Sequence, residues 1–222
     1  MYSVIIRVKN EQDHIGQAIQ SCIDFLEKPE IIIINDNSID KSLYICRLFI
    51  SNNNLGNSNN ANYCDLKIFD IKEYTPGKAL NLGVKYCTHE DILILSSHCK
   101  IIKFDNSLIK KNLEDFGVLF GNQIPYYYGK RIQKNYIWSN FIDQEVVNMW
   151  SKSEGRYFFH NAASLFKKNI LIKNPFDEEL AGKEDRYWAK KWIAKNNKII
   201  YQPNFTVNHF YTTEGHTWKG IG

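Results

Sequence analysis

DILILSSHCKI, residues 91–101, decides how this chain is read. Residues 92–95 are an unbroken apolar run, with charge before them and small polar residues after them. Such a run is a strand buried on both faces, as in a parallel sheet, although periodicity alone also admits a buried helix. Ser96, Ser97, His98 and Cys99 then stand at the carboxyl end of the strand. In open α/β sheets ligands sit in the crevice outside that end. The polar cluster therefore marks the expected site, and the other elements supply more sheet or the walls around it.

Upstream, Tyr2–Val8 is a β-branched strand. Asn10 is placed to cap a following helix, with Asp13 at its third position and Ile15, Ala18, Ile19, Cys22 and Ile23 at helical spacing. Residues 30–34 are a second buried strand, ending in Asn35-Asp36-Asn37-Ser38, and residues 40–50 are helical with Leu43, Cys46, Arg47 and Ile50 on one face. The Asn-rich stretch 51–62 is expected to be a surface loop. Residues 66–71 are a third strand, and Thr75-Pro76-Gly77 opens a helix that reaches about Cys87. Downstream, 106–115 is helical and 117–121 extended. Residues 126–150 are aromatic and irregular, with a helix expected from about Ile137. A strand is expected over 158–166, an amphipathic helix over 184–194, and two short strands over 198–201 and 206–210. The alternation predicts an α/β fold: one domain, 1–222, with a doubly wound half (1–100) and a mixed half (101–222).

The 222 residues and a hydrophobic fraction of 44% suffice for one core. The five cysteines, Cys22, Cys46, Cys64, Cys87 and Cys99, form no CxxC pair, which favours buried free thiols in a reducing cytoplasm. Met1 leads straight into a strand, so no signal peptide is expected. No apolar run approaches the roughly 20 residues that a membrane span needs. A net charge of +4 is too mild to argue for nucleic acid, but suits anionic small ligands or an anionic membrane surface.

Asp36 ends a buried strand, where it accepts a hydrogen bond from a base or ribose or simply caps a turn. Lys78, Asn81 and Gly83 lie at a helix start, which makes either a phosphate site or an ordinary helix with a solvated lysine. His98 is a metal ligand or a structural histidine, and His209 is a second nitrogen donor or a strand end. Glu184 and Asp185 open a helix, as dipole-stabilised caps or with one of them a general base. Trp188 and Trp192 share a face of that helix as core or as a stacking surface.

Six segments in order, SVIIRVKNE, EIIIINDNSID, PGKALNLGVKY, DILILSSHCKI, FFHNAASLFKK and FDEELAGKEDRYWAKKW, make the chain resemble the family 2 glycosyltransferases. The resemblance covers nearly the whole chain. It implies the GT-A fold, a Rossmann-like, mixed but mostly parallel sheet with helices on both faces. Residues 1–100 become the nucleotide-sugar half and 101–222 the acceptor half. The resemblance places Arg7, Lys9, Asn10, Glu11, Asp36, Lys78, Asn81, Ser96 and Ser97 around the donor, and Asn161 and Trp188 near the acceptor. Asp185, with Glu184 beside it, falls on the position of the catalytic base. The family's metal-binding Asp-x-Asp is replaced by Ser96-Ser97-His98. This looks like a branch with Ser-x-His-Cys, rhamnosyltransferase-like and active on surface polysaccharides. Either His98, with His209, holds a divalent ion, Mn²⁺ or Mg²⁺, or the enzyme is metal-independent and basic residues carry the phosphate charge.

The function expected from this resemblance is inverting transfer of single sugars from a nucleoside diphosphate sugar to a hydroxyl of a surface glycan such as capsule or lipopolysaccharide. The processive Gln-x-x-Arg-Trp motif is absent from the sequence. The acceptor would be a glycan or lipid-linked glycan, reached in the cytoplasm or at the inner face of the membrane by peripheral association. Nucleic acid is no partner in this reading, and further domains of a longer chain fit it. Two alternatives remain. One is a sugar nucleotidyltransferase, disfavoured because IIRVKNE has no Gly. The other is a non-catalytic glycan- or nucleotide-binding domain derived from a transferase.

Overall fold

The computed structural model describes residues 1–55 and 63–213. In chain order the first half comprises β1 (Tyr2–Val8), α1 (Ile15–Phe25), β2 (Glu30–Asn35), α2 (Ser42–Leu55), β3 (Asp65–Asp70), α3 (Pro76–Tyr86) and β4 (Asp91–Ser96). The second half comprises β5 (Cys99–Phe104), α4 (Asn106–Phe116), β6 (Val118–Tyr127), β7 (Lys130–Arg131), β8 (Val146–Val147), β9 (Trp150–Ser151), β10 (Arg156–Tyr157), β11 (Ala163–Lys167), α5 (Lys168–Lys173), α6 (Glu184–Ile193) and β12 (Ile200–Phe210).

The main sheet runs β3-β2-β1-β4-β11-β6-β12-β5. Its first four strands are parallel, and β11 then pairs antiparallel with both β4 and β6. All six residues of β2 are buried, as are residues 92–95 of β4, which is why both appear as unbroken apolar runs. Helices cover both faces. Ile15, Ala18, Ile19 and Cys22 of α1, Cys46 of α2 and Ile109 and Leu113 of α4 pack into one core cluster. Ala79, Leu80 and Val84 of α3, Leu171 of α5 and Trp188 and Ala189 of α6 belong to the other.

Several expectations shift. DILILSSHCKI is not one strand: Ser97 and His98 turn the chain between β4 and β5. Asn10 does not cap α1. It sits at φ 50 and its Oδ1 accepts from the Ile39 amide, so it ties the β1 loop to the β2 loop instead. Helix α2 continues through 51–55, since Asn lowers helix propensity only slightly, and 56–62 lie outside the described residues. The helix expected from Ile137 is a short 3-10 turn, Tyr136–Asn140, that buries Trp138 completely. The strand expected from 158 begins only at Ala163, because Phe158 and Phe159 are buried in the aromatic core and the Asn161 amide bonds a side chain. The two closing strands are one, β12, with a register shift between Gln202 and Thr206 around Pro203, which has no amide to donate.

Candidate active site

A cleft of about 330 Å³ opens at the carboxyl ends of β1 and β4. Its walls come from Arg7, from Ser96 and His98, from 160–162 ahead of β11, from 181–186 at the start of α6, and from His209 on β12. The sheet brings these together. Ser96 lies beside Arg7 in the β1–β4 ladder, and the Ser96 amide bonds the Ala162 carbonyl. His209 is opposite Cys99 in the β5–β12 ladder, and the Phe210 amide bonds the His98 carbonyl.

Glu184 and Asp185 occupy the first turn of α6, where the helix dipole favours negative charge. Lys183 before them takes a left-handed conformation, φ 63, which turns the chain into the helix. Glu184 Oε1 accepts from Arg7 Nη1 at 3.1 Å and from Asn161 Nδ2 at 3.1 Å. Asp185 Oδ1 accepts from the Arg186 amide at 2.7 Å, and its Oδ2 from the Asn161 amide at 3.3 Å. Burial, then the charge of Glu184, pushes the Asp185 carboxyl up to about 6. A carboxyl held near neutrality in a cleft is a competent general base. Asn161 lines the cleft, but both its side chain and its amide are spent on these carboxylates, so it positions them.

Opposite stand three histidines whose tautomers are set by their neighbours. His98 Nδ1 lies 2.9 Å from Glu11 Oε1, a carboxylate that can only accept, so Nδ1 carries the proton. His209 Nδ1 lies 2.8 Å from Gln123 Oε1, and Gln123 Nε2 lies 3.1 Å from His160 Nδ1. Gln123 thus accepts from His209 and donates to His160. His98 and His209, ring centroids 4.9 Å apart, both keep a lone pair on Nε2 when neutral. Desolvation holds His209 well below the usual imidazole range, and desolvation with Arg186 beside it brings His160 to about 3.

A second, smaller recess is lined by Arg7, Lys9, Glu11, Tyr74, Ser96, Ser97 and His98. Lys9 Nζ pairs with Asp36 Oδ2 at 2.8 Å, and Asp36 is buried at the end of β2. Three expected site residues lie elsewhere. Lys78 is turned to Glu73 at 3.4 Å, and its amide is taken by the Thr75 hydroxyl that caps α3. Asn81 bonds the Phe176 carbonyl and amide and Glu178 Oε1, and a Cβ on Gly77 would collide with the Asp177 carbonyl. The start of α3 is therefore packed against 176–178, although Pro76 at its first position still lines the cleft. Trp188 is a core residue: it is 4% exposed and its indole donates to the Asn174 carbonyl. Among the cleft residues, the polar side chains of Tyr74, His160, Lys183 and Arg186 carried no sequence signal of their own as site residues. His160 is preceded by FF and followed by Asn161, and only the fold shows that it reaches Gln123 on β6.

A crevice at a strand-order switch, lined by buried carboxyls, cations and histidines, is where open α/β sheets bind their ligands. The profile of the Glycosyl transferase family 2 matches residues 3–174, and the chain belongs to that family. It is 23% identical over 214 residues to the minor teichoic acid biosynthesis protein GgaA of Bacillus subtilis (strain 168), covering 89% of this chain and 44% of GgaA. Its fold matches S. aureus TarS 1–349 with a TM-score of 0.68 at 19% identity, over 95% of this chain and 60% of that one. The same TarS fragment in complex with UDP-GlcNAc matches with a TM-score of 0.68 at 19% identity, over 97% and 60%. The chain thus spans less than two thirds of these relatives.

The Asp185 carboxyl is a base only when ionised, so activity that needs it rises with pH through about 6 and is lost below. Glu184→Gln removes the neighbouring charge that helps to hold Asp185 up. The acid limb of the kcat/KM profile should move to lower pH in that variant. An unmoved limb would detach Asp185 from the ionisation.

Proposed function

We propose that this domain is an inverting glycosyltransferase that moves a single sugar from a UDP-sugar to a hydroxyl of a phosphate-bearing cell-surface polymer. The observation that carries the reading is the buried Asp185 in a cleft that Arg7, His98, His160 and His209 also line. Family membership and the similarity to GgaA, a minor teichoic acid biosynthesis protein, support it. The Ser96-Ser97-His98-Cys99 segment supports assigning the chain to a branch distinct from the Asp-x-Asp members. The capsule and lipopolysaccharide settings are finer versions of the same reading. Five buried free cysteines suit a reducing compartment, so we place the activity in the cytoplasm, at the membrane face where the polymer is assembled. No helix among the described residues is long and apolar enough to cross a membrane.

In this mechanism Asp36, at the end of β2, accepts from the uracil imide or the ribose, and Lys9 fixes its carboxylate. Arg7 and Lys9 face the diphosphate. The acceptor hydroxyl enters from the side of α6 and gives its proton to Asp185 as its oxygen bonds the anomeric carbon. The bond from that carbon to the diphosphate oxygen breaks on the opposite face, and UDP leaves with its electrons. Attack from the opposite face inverts the centre. Asn161 and Arg186 hold Asp185 in place through their amides.

A divalent ion fits the chemistry of the histidines, because Glu11 and Gln123 take up both Nδ1 atoms and so make Nε2 the nitrogen each ring would offer. Held by His98 and His209, such an ion would neutralise charge on the departing diphosphate. Imidazole suits Mn²⁺ better than Mg²⁺. Among the described residues no three His, Cys, Asp or Glu side chains cluster as a metal site, and an ion held by the two histidines would take further oxygens from the nucleotide.

Asp185→Asn should lose about 10²–10⁴-fold in turnover while calorimetry finds UDP binding intact. A variant that keeps more than a tenth of wild-type turnover would remove Asp185 from the base role. For the ion, paramagnetic resonance should show Mn²⁺ bound with UDP and little without it, and His98→Ala should abolish the bound signal. Equal Mn²⁺ binding by His98→Ala would discard the site.

A further inference from the structure

Beyond the cleft, a groove of about 650 Å³ runs between the β9–β10 hairpin and α6. It is the larger of the two, and Lys183 and Arg186 line both. The groove therefore adjoins the cleft at the two residues that flank Glu184 and Asp185 in the chain. The described reaction uses none of its other residues.

Two chemistries meet there. Trp150, Tyr157 and Tyr187 are 55%, 41% and 47% exposed, an unusual concentration of aromatic surface, and the Trp150 and Tyr157 rings pack edge to face at 5.2 Å. Amphipathic aromatic faces of this kind cover the C–H surfaces of sugar rings and polyol chains. Lys183, Arg186 and Lys190 follow at i, i+3 and i+7, a stripe of charge about 10 Å long on one side of α6. Arg156 faces them from β10. Glu154 offsets part of this charge, accepting from Arg156 Nη2 at 2.7 Å and pairing with Arg186 Nη1 at 3.3 Å. Among the described residues neither Lys183 nor Lys190 has an acidic partner within ion-pair distance. A single charged sugar would meet one of these cations, whereas a chain with a charge in every repeat meets several.

The geometry points to this groove as the acceptor subsite, and to its occupant as a phosphodiester-linked polyol or sugar chain whose last hydroxyl reaches Asp185. The inference rests on the transferase reading above and adds the place and the recognition chemistry of the acceptor. Aromatic faces hold the apolar edges of each repeat, and the cations read its phosphates.

The test titrates a synthetic oligomer of glycerol phosphate into the full chain by calorimetry, with polygalacturonate and phosphatidylglycerol vesicles as parallel probes. The oligomer should bind, weaken as salt rises, and lose roughly tenfold or more in affinity in Lys190→Glu. Trp150→Ala should weaken it independently, and both variants should keep the wild-type thermal midpoint. Unchanged oligomer affinity in both variants, or equal or tighter binding of polygalacturonate or vesicles, overturns the assignment. UDP release from UDP-GlcNAc is measured alongside. Release in wild type with no groove dependence refutes the subsite alone, whereas oligomer binding without release under any acceptor refutes the transferase reading.

Discussion

Strand β4 has β1 on one edge, running parallel, and β11 on the other, running antiparallel. The rest of the site depends on that reversal. Because β1 and β4 run the same way, their carboxyl ends deliver Arg7 and Ser96 side by side. Because β11 runs the opposite way, its amino end arrives at the same place and brings His160, Asn161 and Ala162. An all-parallel sheet would put a crossover helix on that edge and close the crevice to one side. Here the edge stays lined with side chains, and two sequence-distant halves meet over a cleft.

Hydrogen bonds then hold those groups in usable states. Arg7 and Glu184 are 177 residues apart and join the first strand to the helix that carries Asp185. Buried ion pairs of this kind contribute little net stability, since desolvation offsets their attraction. Their value here is positional, because the pair fixes the carboxylate whose charge lifts Asp185. Glu11 and Gln123 do the same for the imidazoles by occupying one nitrogen of each. Both are buried at 2% and 0%, so neither tautomer is left to solvent.

The scaffold was legible wherever burial is uniform. The runs in β2 and β4 are buried throughout and so advertise themselves as parallel strands. Asp36, His98, His209, Glu184 and Asp185 could be picked out because a polar residue at the end of such an element has few places to go. The errors came where a distant contact overrides a local pattern. Asn10 has the look of a cap, yet the Ile39 amide 29 residues away claims its side chain. Lys78 sits at a helix start that 176–178 cover, and nothing near Lys78 in sequence reports that. Trp188 and Trp192 lie four apart on one face of α6, but a spacing cannot say which face looks inward. Gln123 and His160 form their pair across two elements, and neither residue type announces it.

The central claim is that Asp185 and the donor diphosphate stand on opposite faces of the reacting carbon, so that transfer must invert it. The most direct measurement is the anomeric configuration of the product, read by proton coupling in nuclear magnetic resonance from the earliest turnover with UDP-GlcNAc and a phosphodiester acceptor. The donor's α-linkage should appear as β in the product. A product that keeps the α configuration would contradict the arrangement, because a carboxyl acting only as a base on the acceptor side cannot deliver it.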